Sequence, residues 1–173
     1  MTIIIYLALS VCVVIMQGTF STSLAIQGVF PDFCLIMACV VGFLFGEYKG
    51  LAGGLTVGLL QDFLSPGGLG VNMVLKGLAG VLGGVVTHTV STVTGPAILA
   101  GTWVLSIGYG LASLVIAFPD VSAATFVYTL TTVLLPQSVY NSLLALACFW
   151  IVRKFHPPKS LIESWYRHHR SGA

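Results

Sequence analysis

The fold is decided by the stretch from Gly50 to His88, GLAGGLTVGLLQDFLSPGGLGVNMVLKGLAGVLGGVVTH, in which a Pro-Gly-Gly turn joins two apolar runs. Small residues recur at every fourth position in both runs, and this spacing places them along one ridge of a helix. Small residues let helix backbones approach closely in lipid, so the stretch predicts a tightly packed helical hairpin inside a membrane. The glycines concerned are Gly50, Gly54, Gly58, Gly80 and Gly84.

The composition of the whole chain predicts the same environment. Of its 173 residues, 57% are hydrophobic and 7% are charged, and the mean hydropathy is +1.01. A soluble domain carries about 25% charged residues, so this chain has too few charges to cover a surface in water. We therefore expect an integral membrane protein without a large soluble domain. The net charge of +2 arises mostly near the C-terminal end and does not point to nucleic-acid binding.

Six apolar segments follow one another along residues 1–155, which predicts an all-α, polytopic domain of six transmembrane helices. Pro31 and Asp32 form a favourable helix start for the second segment. Pro136 divides the last segment and should kink it, because proline removes a backbone donor. Residues 156–173 form a short basic tail. The expected spans are 2–20, 31–46, 50–64, 71–87, 96–117 and 123–152.

The distribution of basic residues predicts the orientation in the membrane. Five of the seven Lys and Arg residues lie near the C-terminal end, and the positive-inside rule places that end in the cytoplasm. With six spans the N-terminus is cytoplasmic too, and Lys49 falls on the same side. The span 50–64 would extend only about 22 Å across a hydrocarbon core of about 30 Å, so a re-entrant hairpin is the alternative.

Two ionisable side chains, Asp62 and Lys76, lie inside expected spans, where charges are costly unless paired or hydrated. In an antiparallel hairpin both lie near the closed end together with Asn72, which predicts one Asp–Asn–Lys cluster. The structural interpretation is a neutralised pair that sets the register of the helices; a ligand-binding or proton-carrying role is the alternative. Asn141, in the last span, is expected to form a hydrogen bond between helices.

The sequence contains no recognisable catalytic or metal-binding motif. The four cysteines lie inside apolar runs without metal-ligand spacing, and the glycine-rich turn 67–70 lacks the lysine of a phosphate loop. We therefore expect neither enzyme activity nor a cofactor. An ion or proton path through Asp62, Lys76 and His88 is disfavoured, because His88 should lie near the opposite face of the membrane.

Several motifs resemble the rod shape-determining protein MreD family, and together they extend over essentially the whole chain. The most specific part runs from Leu60 to Asn72, where Gln-Asp, Pro-Gly and Leu-Gly-x-Asn follow in the family's order and spacing. The chain length, the six apolar runs and the basic tail are similar too. The motifs are Pro31-Asp32, Gly58-Leu59-Leu60-Gln61-Asp62, Pro66-Gly67-Gly68-Leu69-Gly70-Val71-Asn72, and Pro136 with Tyr140-Asn141.

The resemblance implies a non-enzymatic scaffold of the bacterial cell-elongation machinery, located in the inner membrane and surrounded by membrane lipid. The implied partners are an MreC-like periplasmic protein with a single span, RodA with a class B penicillin-binding protein, and MreB filaments. The glycine-lined faces would dock the transmembrane helix of the MreC-like partner. No catalytic residue is carried over.

The fold implied by the resemblance is similar to the S-component of energy-coupling-factor transporters, and this likeness keeps a second hypothesis open. The chain could be the substrate-binding membrane component of a small-solute (vitamin) transporter. The outward half offers few polar groups for such a site. The first span also has Ala8-xxx-Cys12 where such components tend to carry an Ala-xxx-Ala motif.

Overall fold

The computed structural model describes residues 2–20, 23–64, 70–89 and 94–155, without the side chains of 2–6 and 87–89. These residues are almost entirely helical, and their only β-type pairing is an isolated bridge between Ile26 and Val29. A π-helical segment, Leu130–Leu134, joins the last two helices into one continuous helix over 123–155. The helices are α1 (Thr2–Phe20), α2 (Phe33–Phe45), α3 (Glu47–Leu64), α4 (Val71–Thr89), α5 (Gly95–Ala117), α6 (Ala123–Thr129) and α7 (Leu135–Phe155).

Two of these helices are long and apolar enough to cross a membrane by themselves. They are α5, with 23 residues, and the continuous helix 123–155, with 33 residues. Shorter apolar stretches occur in α1, α2 and α4, over Leu7–Phe20, Phe33–Phe45 and Val71–Val86. The all-helical class is confirmed, whereas six complete crossings stay a prediction.

The core of the bundle is organised around α2, which packs against α1, α3, α4, α5 and α7. Nine of its thirteen residues are buried. A helix that is enclosed on all sides needs no polar face, and its sequence FCLIMACVVGFLF has none. In the main apolar cluster, Leu35 and Phe43 of α2 pack with Ile98 of α5 and Phe149 of α7.

Local sequence sets both ends of α2. The Asp32 carboxylate caps the N-terminus by accepting a hydrogen bond from the Leu35 N–H at 2.8 Å. Gly46 ends the helix with a φ of 87°, a conformation that favours glycine. Because the chain turns at this one residue, α3 begins at Glu47, and residues 47–49, which lie between two expected spans, form its first turn. With 18 residues α3 extends about 27 Å, longer than the sequence predicts.

Glycines allow α3 and α4 to pack backbone against backbone. A Cβ atom at Gly50, Gly54 or Gly58 would lie under 3.0 Å from backbone atoms of α4. In the same way, a Cβ at Gly80 would collide with Gly50, and one at Gly84 with the α2–α3 junction. The predicted glycine-packed hairpin is therefore present.

The same contacts correct the expectation that the glycine faces dock a partner. The glycines of α3 lie against α4, and those of α4 lie against α3 and the end of α2. No room remains along this ridge for the helix of another protein. The glycine ladder is an internal packing surface.

The helix 123–155 continues through Pro136. Leu135 donates its N–H to the carbonyl of Leu130, five residues earlier, which is the π-helical pattern. Two threonine hydroxyls of the π-helical segment donate to carbonyls of the preceding turn. The irregularity expected at Pro136 is therefore a wider helical turn just before it.

We predict that Gly54→Ala lowers the melting temperature of the purified protein. The new Cβ would overlap the carbonyl of Lys76 and push α3 away from α4. Overpacking of this kind costs about 1–3 kcal/mol of folding free energy. Thermal unfolding in detergent measures the effect.

Gly53 provides a matched control, because it is the next residue of the same helix. A Cβ at Gly53 would meet only the Val41 side chain, at 3.4 Å or more. Gly53→Ala should keep or raise the melting temperature, since alanine stabilises a helix by up to about 1 kcal/mol relative to glycine. Equal destabilisation by the two substitutions would contradict the backbone contact between α3 and α4.

Candidate functional site: a buried polar network

Asp62, in the last turn of α3, caps the neighbouring helix α4. Its carboxylate accepts hydrogen bonds from the backbone N–H groups of Gly70 (2.9 Å), Asn72 (3.2 Å) and Met73 (3.0 Å). It also accepts one from the Asn72 side-chain amide at 2.8 Å. The first N–H groups of a helix lack intrahelical partners and form its positive end. Asp62 therefore closes the hairpin and has its charge stabilised by four donors.

Lys76, one turn further along α4, is completely buried. Its ammonium forms an ion pair with the Asp32 carboxylate at 2.9 Å. It also donates to the Gln61 side-chain carbonyl and to the Tyr109 hydroxyl, the latter at 3.2 Å. A lysine ammonium has three donors, and here each of them has a partner from a different part of the chain.

Tyr109 of α5 connects Lys76 to the capped end of α4. Its hydroxyl donates to the Asn72 side-chain carbonyl at 2.6 Å, while its ring lies 4.8 Å from the Lys76 ammonium. The same hydroxyl oxygen accepts from Lys76, so it is used both as donor and as acceptor. Asn72 in turn donates to Asp62, which completes a chain of bonds from α3 through α4 to α5.

Asp32 connects the same cluster to α7. Its backbone N–H donates to the Asn141 side-chain carbonyl at 2.9 Å, and the amide of Asn141 donates to the Ser106 hydroxyl at 2.9 Å. One Asp32 carboxylate oxygen caps α2 while the other accepts from Lys76. Asp32, Ser106 and Asn141 are all buried, so their polar groups depend on one another.

We call this set of eight side chains the polar network. It joins α2, α3, α4, α5 and α7 at the end of the bundle where α3 meets α4. The Asp32 and Lys76 charges neutralise each other, and the backbone of α4 stabilises Asp62. The members are Asp32, Gln61, Asp62, Asn72, Lys76, Ser106, Tyr109 and Asn141.

Two glutamine side chains hold the segment around Asp32 against the network. Gln17 of α1 donates to the Pro31 carbonyl at 3.1 Å and accepts from the Phe33 N–H at 2.7 Å. Gln137 of α7 donates to the Phe30 carbonyl at 2.8 Å. These hydrogen bonds hold the fully buried Pro31 in place and fix the position of Asp32, which caps α2.

The polar network gathers the sequence segments that resemble a known family, and a comparison with protein-family models identifies that family. The model described as rod shape-determining protein MreD matches residues 1–157. The chain belongs to the MreD family. Membership gives it a role in rod shape determination, in a non-catalytic family of membrane proteins that associates with the shape-determining machinery. Neither the curated proteins nor the solved structures produced a significant match.

The motifs of the MreD resemblance, far apart in sequence, meet at one place in the fold. Asp32 comes from the second segment, Asp62 and Asn72 flank the hairpin turn, and Asn141 comes from the last helix. The predicted contact between Asp62 and Asn72 is present, and so is the predicted helix-to-helix hydrogen bond of Asn141.

The structure corrects the partner of Lys76. The expected pair with Asp62 is replaced by the ion pair with Asp32, because Asp62 is directed at the start of α4 instead. The hairpin alone could not predict this contact, since it depends on how α2 packs against α4. A comparison of the depths of ionisable residues in the membrane would have identified the Asp32–Lys76 pair, because both residues lie near the outward ends of their predicted spans.

Sequence reasoning also missed Tyr109 and Ser106. Both lie in α5, and the spacing of three places them on the same face of that helix. A tyrosine and a serine three residues apart in an apolar span were the available signal. The hairpin turn 65–69, the side chain of His88 and the tail 156–173 lie outside the described residues.

Within the part of the chain that the structure describes, no group of three or more His, Cys, Asp or Glu side chains is placed to hold a metal ion. Cys34 and Cys39 are buried in α2 beside the network but form no disulfide. The arrangement of the polar network serves to connect helices: its donors and acceptors are directed at one another.

We predict that Lys76→Met destabilises the protein more than the double substitution Asp32→Asn with Lys76→Met. The single change leaves the Asp32 carboxylate buried without its cation, which costs about 3–5 kcal/mol. Asparagine at position 32 removes that charge and still offers an oxygen to cap α2. Thermal unfolding of the four proteins of the cycle measures the coupling.

Asp120→Asn is the control for loss of a carboxylate, because Asp120 is exposed. Its melting temperature should equal that of the unsubstituted protein. Additive effects of the two network substitutions would mean that the ion pair contributes nothing as a pair.

Proposed function

We propose that this member of the MreD family is a rigid, non-enzymatic scaffold in the inner membrane that connects components of the cell-elongation machinery. The observation that carries the proposal is the inward direction of the polar network. Lys76 and Asp62 bind groups on other elements of the same chain, and Asp32 binds Lys76 while it caps α2. Such bonds stabilise a single arrangement of helices, and a scaffold needs one to present fixed surfaces to several partners.

The distribution of charge supports an orientation with both termini in the cytoplasm. Lys49, Arg153 and Lys154 lie at the end of the bundle opposite the polar network, together with Glu47. The polar network and Asp120 lie at the other end. By the positive-inside rule the basic end faces the cytoplasm, where MreB filaments could reach it. The proposal includes six spans and a fold like that of the transporter S-components.

The unsupported helix α6 is the surface that we assign to the MreC-like partner. It buries none of its residues, and among the described residues it packs only on the π-helical segment that follows it. The continuous helix of 33 residues is about 50 Å long, whereas the hydrocarbon core is about 30 Å thick. With the basic end of α7 at the inner boundary, a core of about 30 Å ends near residue 135, so α6 projects beyond the outer boundary, on the side where a single-span periplasmic protein leaves the membrane.

The composition of α6 is suited to such a contact. Val127 is 56% exposed and Tyr128 is 67% exposed, and Phe118 in the preceding connection is 62% exposed. Aromatic side chains contribute large contact areas and occur frequently in protein interfaces. RodA with its class B penicillin-binding partner would assemble on the same outward end, and through it the scaffold would influence peptidoglycan synthesis.

The vitamin-transporter alternative receives no support from the polar network. A substrate site requires several polar groups that converge on the substrate. The three donors of the Lys76 ammonium are already bound to Asp32, Gln61 and Tyr109, and the Asp62 carboxylate already accepts four hydrogen bonds.

A photo-crosslinking amino acid in place of Val127 should capture the MreC-like partner in growing cells. The same amino acid in place of Leu143, on α7, should not, although both residues are 56% exposed. The difference is expected because Leu143 faces lipid in the middle of the bundle. Immunoblotting for the partner measures the crosslinked product.

Cell shape tests the scaffold itself. In cells depleted of the native protein, the unsubstituted chain should restore rods, whereas Val127→Ala with Tyr128→Ala should leave rounded cells with normal amounts of a folded protein. Leu143→Ala should restore rods. Crosslinking at position 143 alone, or rod shape with the double alanine variant, would contradict docking on α6.

A further inference from the structure

A cavity at the basic end of the bundle lies between α1, α2 and α3 and has a volume of about 220 Å³. Leu7 of α1, Met37 and Val41 of α2, and Ala52 and Gly53 of α3 contribute to its walls. It lies away from the polar network, toward the opposite ends of the same helices. The walls are mostly apolar, which favours an apolar occupant.

The polar side chains of the wall are largely committed to other groups. The Thr56 hydroxyl donates to the Ala52 carbonyl at 2.7 Å, and Ser10 is buried. Apolar cavities of about 150 Å³ stay dry and bind small hydrocarbons. A space of 220 Å³ in a membrane protein is therefore suited to a hydrocarbon chain.

Lys49 is the one charged residue that the described part of the chain contributes to the lining. It is exposed in the first turn of α3, and its ammonium lies 5.4 Å from the Phe45 ring. Among the described residues the one ion pair is that of Lys76 with Asp32, so Lys49 has no carboxylate partner there. Glu47 is two residues earlier, a spacing that directs it to a different side of the helix.

We propose that this cavity, the Lys49 groove, binds an anionic phospholipid, with an acyl chain between α1, α2 and α3 and the phosphate on the Lys49 ammonium. The lipid class rests on the apolar walls and the unpaired cation. Its leaflet, the cytoplasmic one, rests on the orientation proposed above.

The groove has a volume of about 220 Å³, which is enough for part of one linear chain.

Native mass spectrometry of the full chain, titrated with phosphatidylglycerol or phosphatidylcholine, tests the proposal. The unsubstituted protein should bind phosphatidylglycerol about fivefold more tightly, because one lysine contributes that much to the binding of an anionic lipid. Lys49→Gln should abolish the preference. Lys154→Gln, which removes an exposed cation outside the lining, should retain it.

Filling the groove with a larger side chain should abolish the binding of both phosphatidylglycerol and phosphatidylcholine. Gly53→Leu is suited to this because a Cβ there meets only the Val41 side chain. Gly108→Leu is the matched control, since a Cβ at Gly108 meets no atom within 4 Å. If Gly53→Leu lowers the melting temperature, Ala52→Leu replaces it in the experiment.

Equal lipid preference in the Lys49→Gln and Lys154→Gln proteins would overturn the proposal, and so would undiminished lipid binding after the groove is filled. If the protein with the filled groove loses the MreC-like partner but binds lipid as before, the groove is a protein-docking site instead. Each of these outcomes leaves the scaffold proposal standing, because crosslinking at Val127 reports on that separately.

Discussion

The burial of the Lys76 ammonium is the constraint on which the rest of the fold depends. A charge inside a membrane protein is costly unless it is paired and fully hydrogen-bonded. Lys76 meets this requirement with Asp32, Gln61 and Tyr109, which come from the start of α2, from α3 and from α5. Because moving any one of these elements would leave one of the three ammonium donors without its partner, the helices are held in one arrangement.

The glycines of α3 and α4 make the polar contacts geometrically possible. The side chains of Gln61 and Asp62 reach α4 because the two backbones touch along Gly54 and Gly58. Apolar packing and polar bonding therefore support each other: the first sets the distance between the helices, and the second sets their register. The result leaves α6 and the Lys49 groove exposed, and these are the surfaces that we propose for a partner protein and for lipid.

Much of this could be predicted from composition and spacing. The apolar runs and the scarcity of charge establish a helical membrane protein, and the four-residue glycine ladder establishes the hairpin. Asp62 and Asn72 are joined across one short connection, so their contact is a local property of the chain. The cap at Asp32 is local in the same sense, because it depends only on the following three residues.

The partner of Lys76 and the use of the glycine ladder were decided by the tertiary structure. Asp32 lies 44 positions before Lys76, and Tyr109 lies 33 positions after it. Their meeting depends on the packing of α2 and α5 against α4, which no spacing within the hairpin encodes. A glycine ridge likewise specifies close approach without specifying the approaching helix. The sequence by itself determined which residues needed partners, because an unpaired polar group is costly to bury wherever it lies and a ridge of glycines indicates close packing. The tertiary structure decided which partners they found, because contacts between distant segments depend on all the helices together.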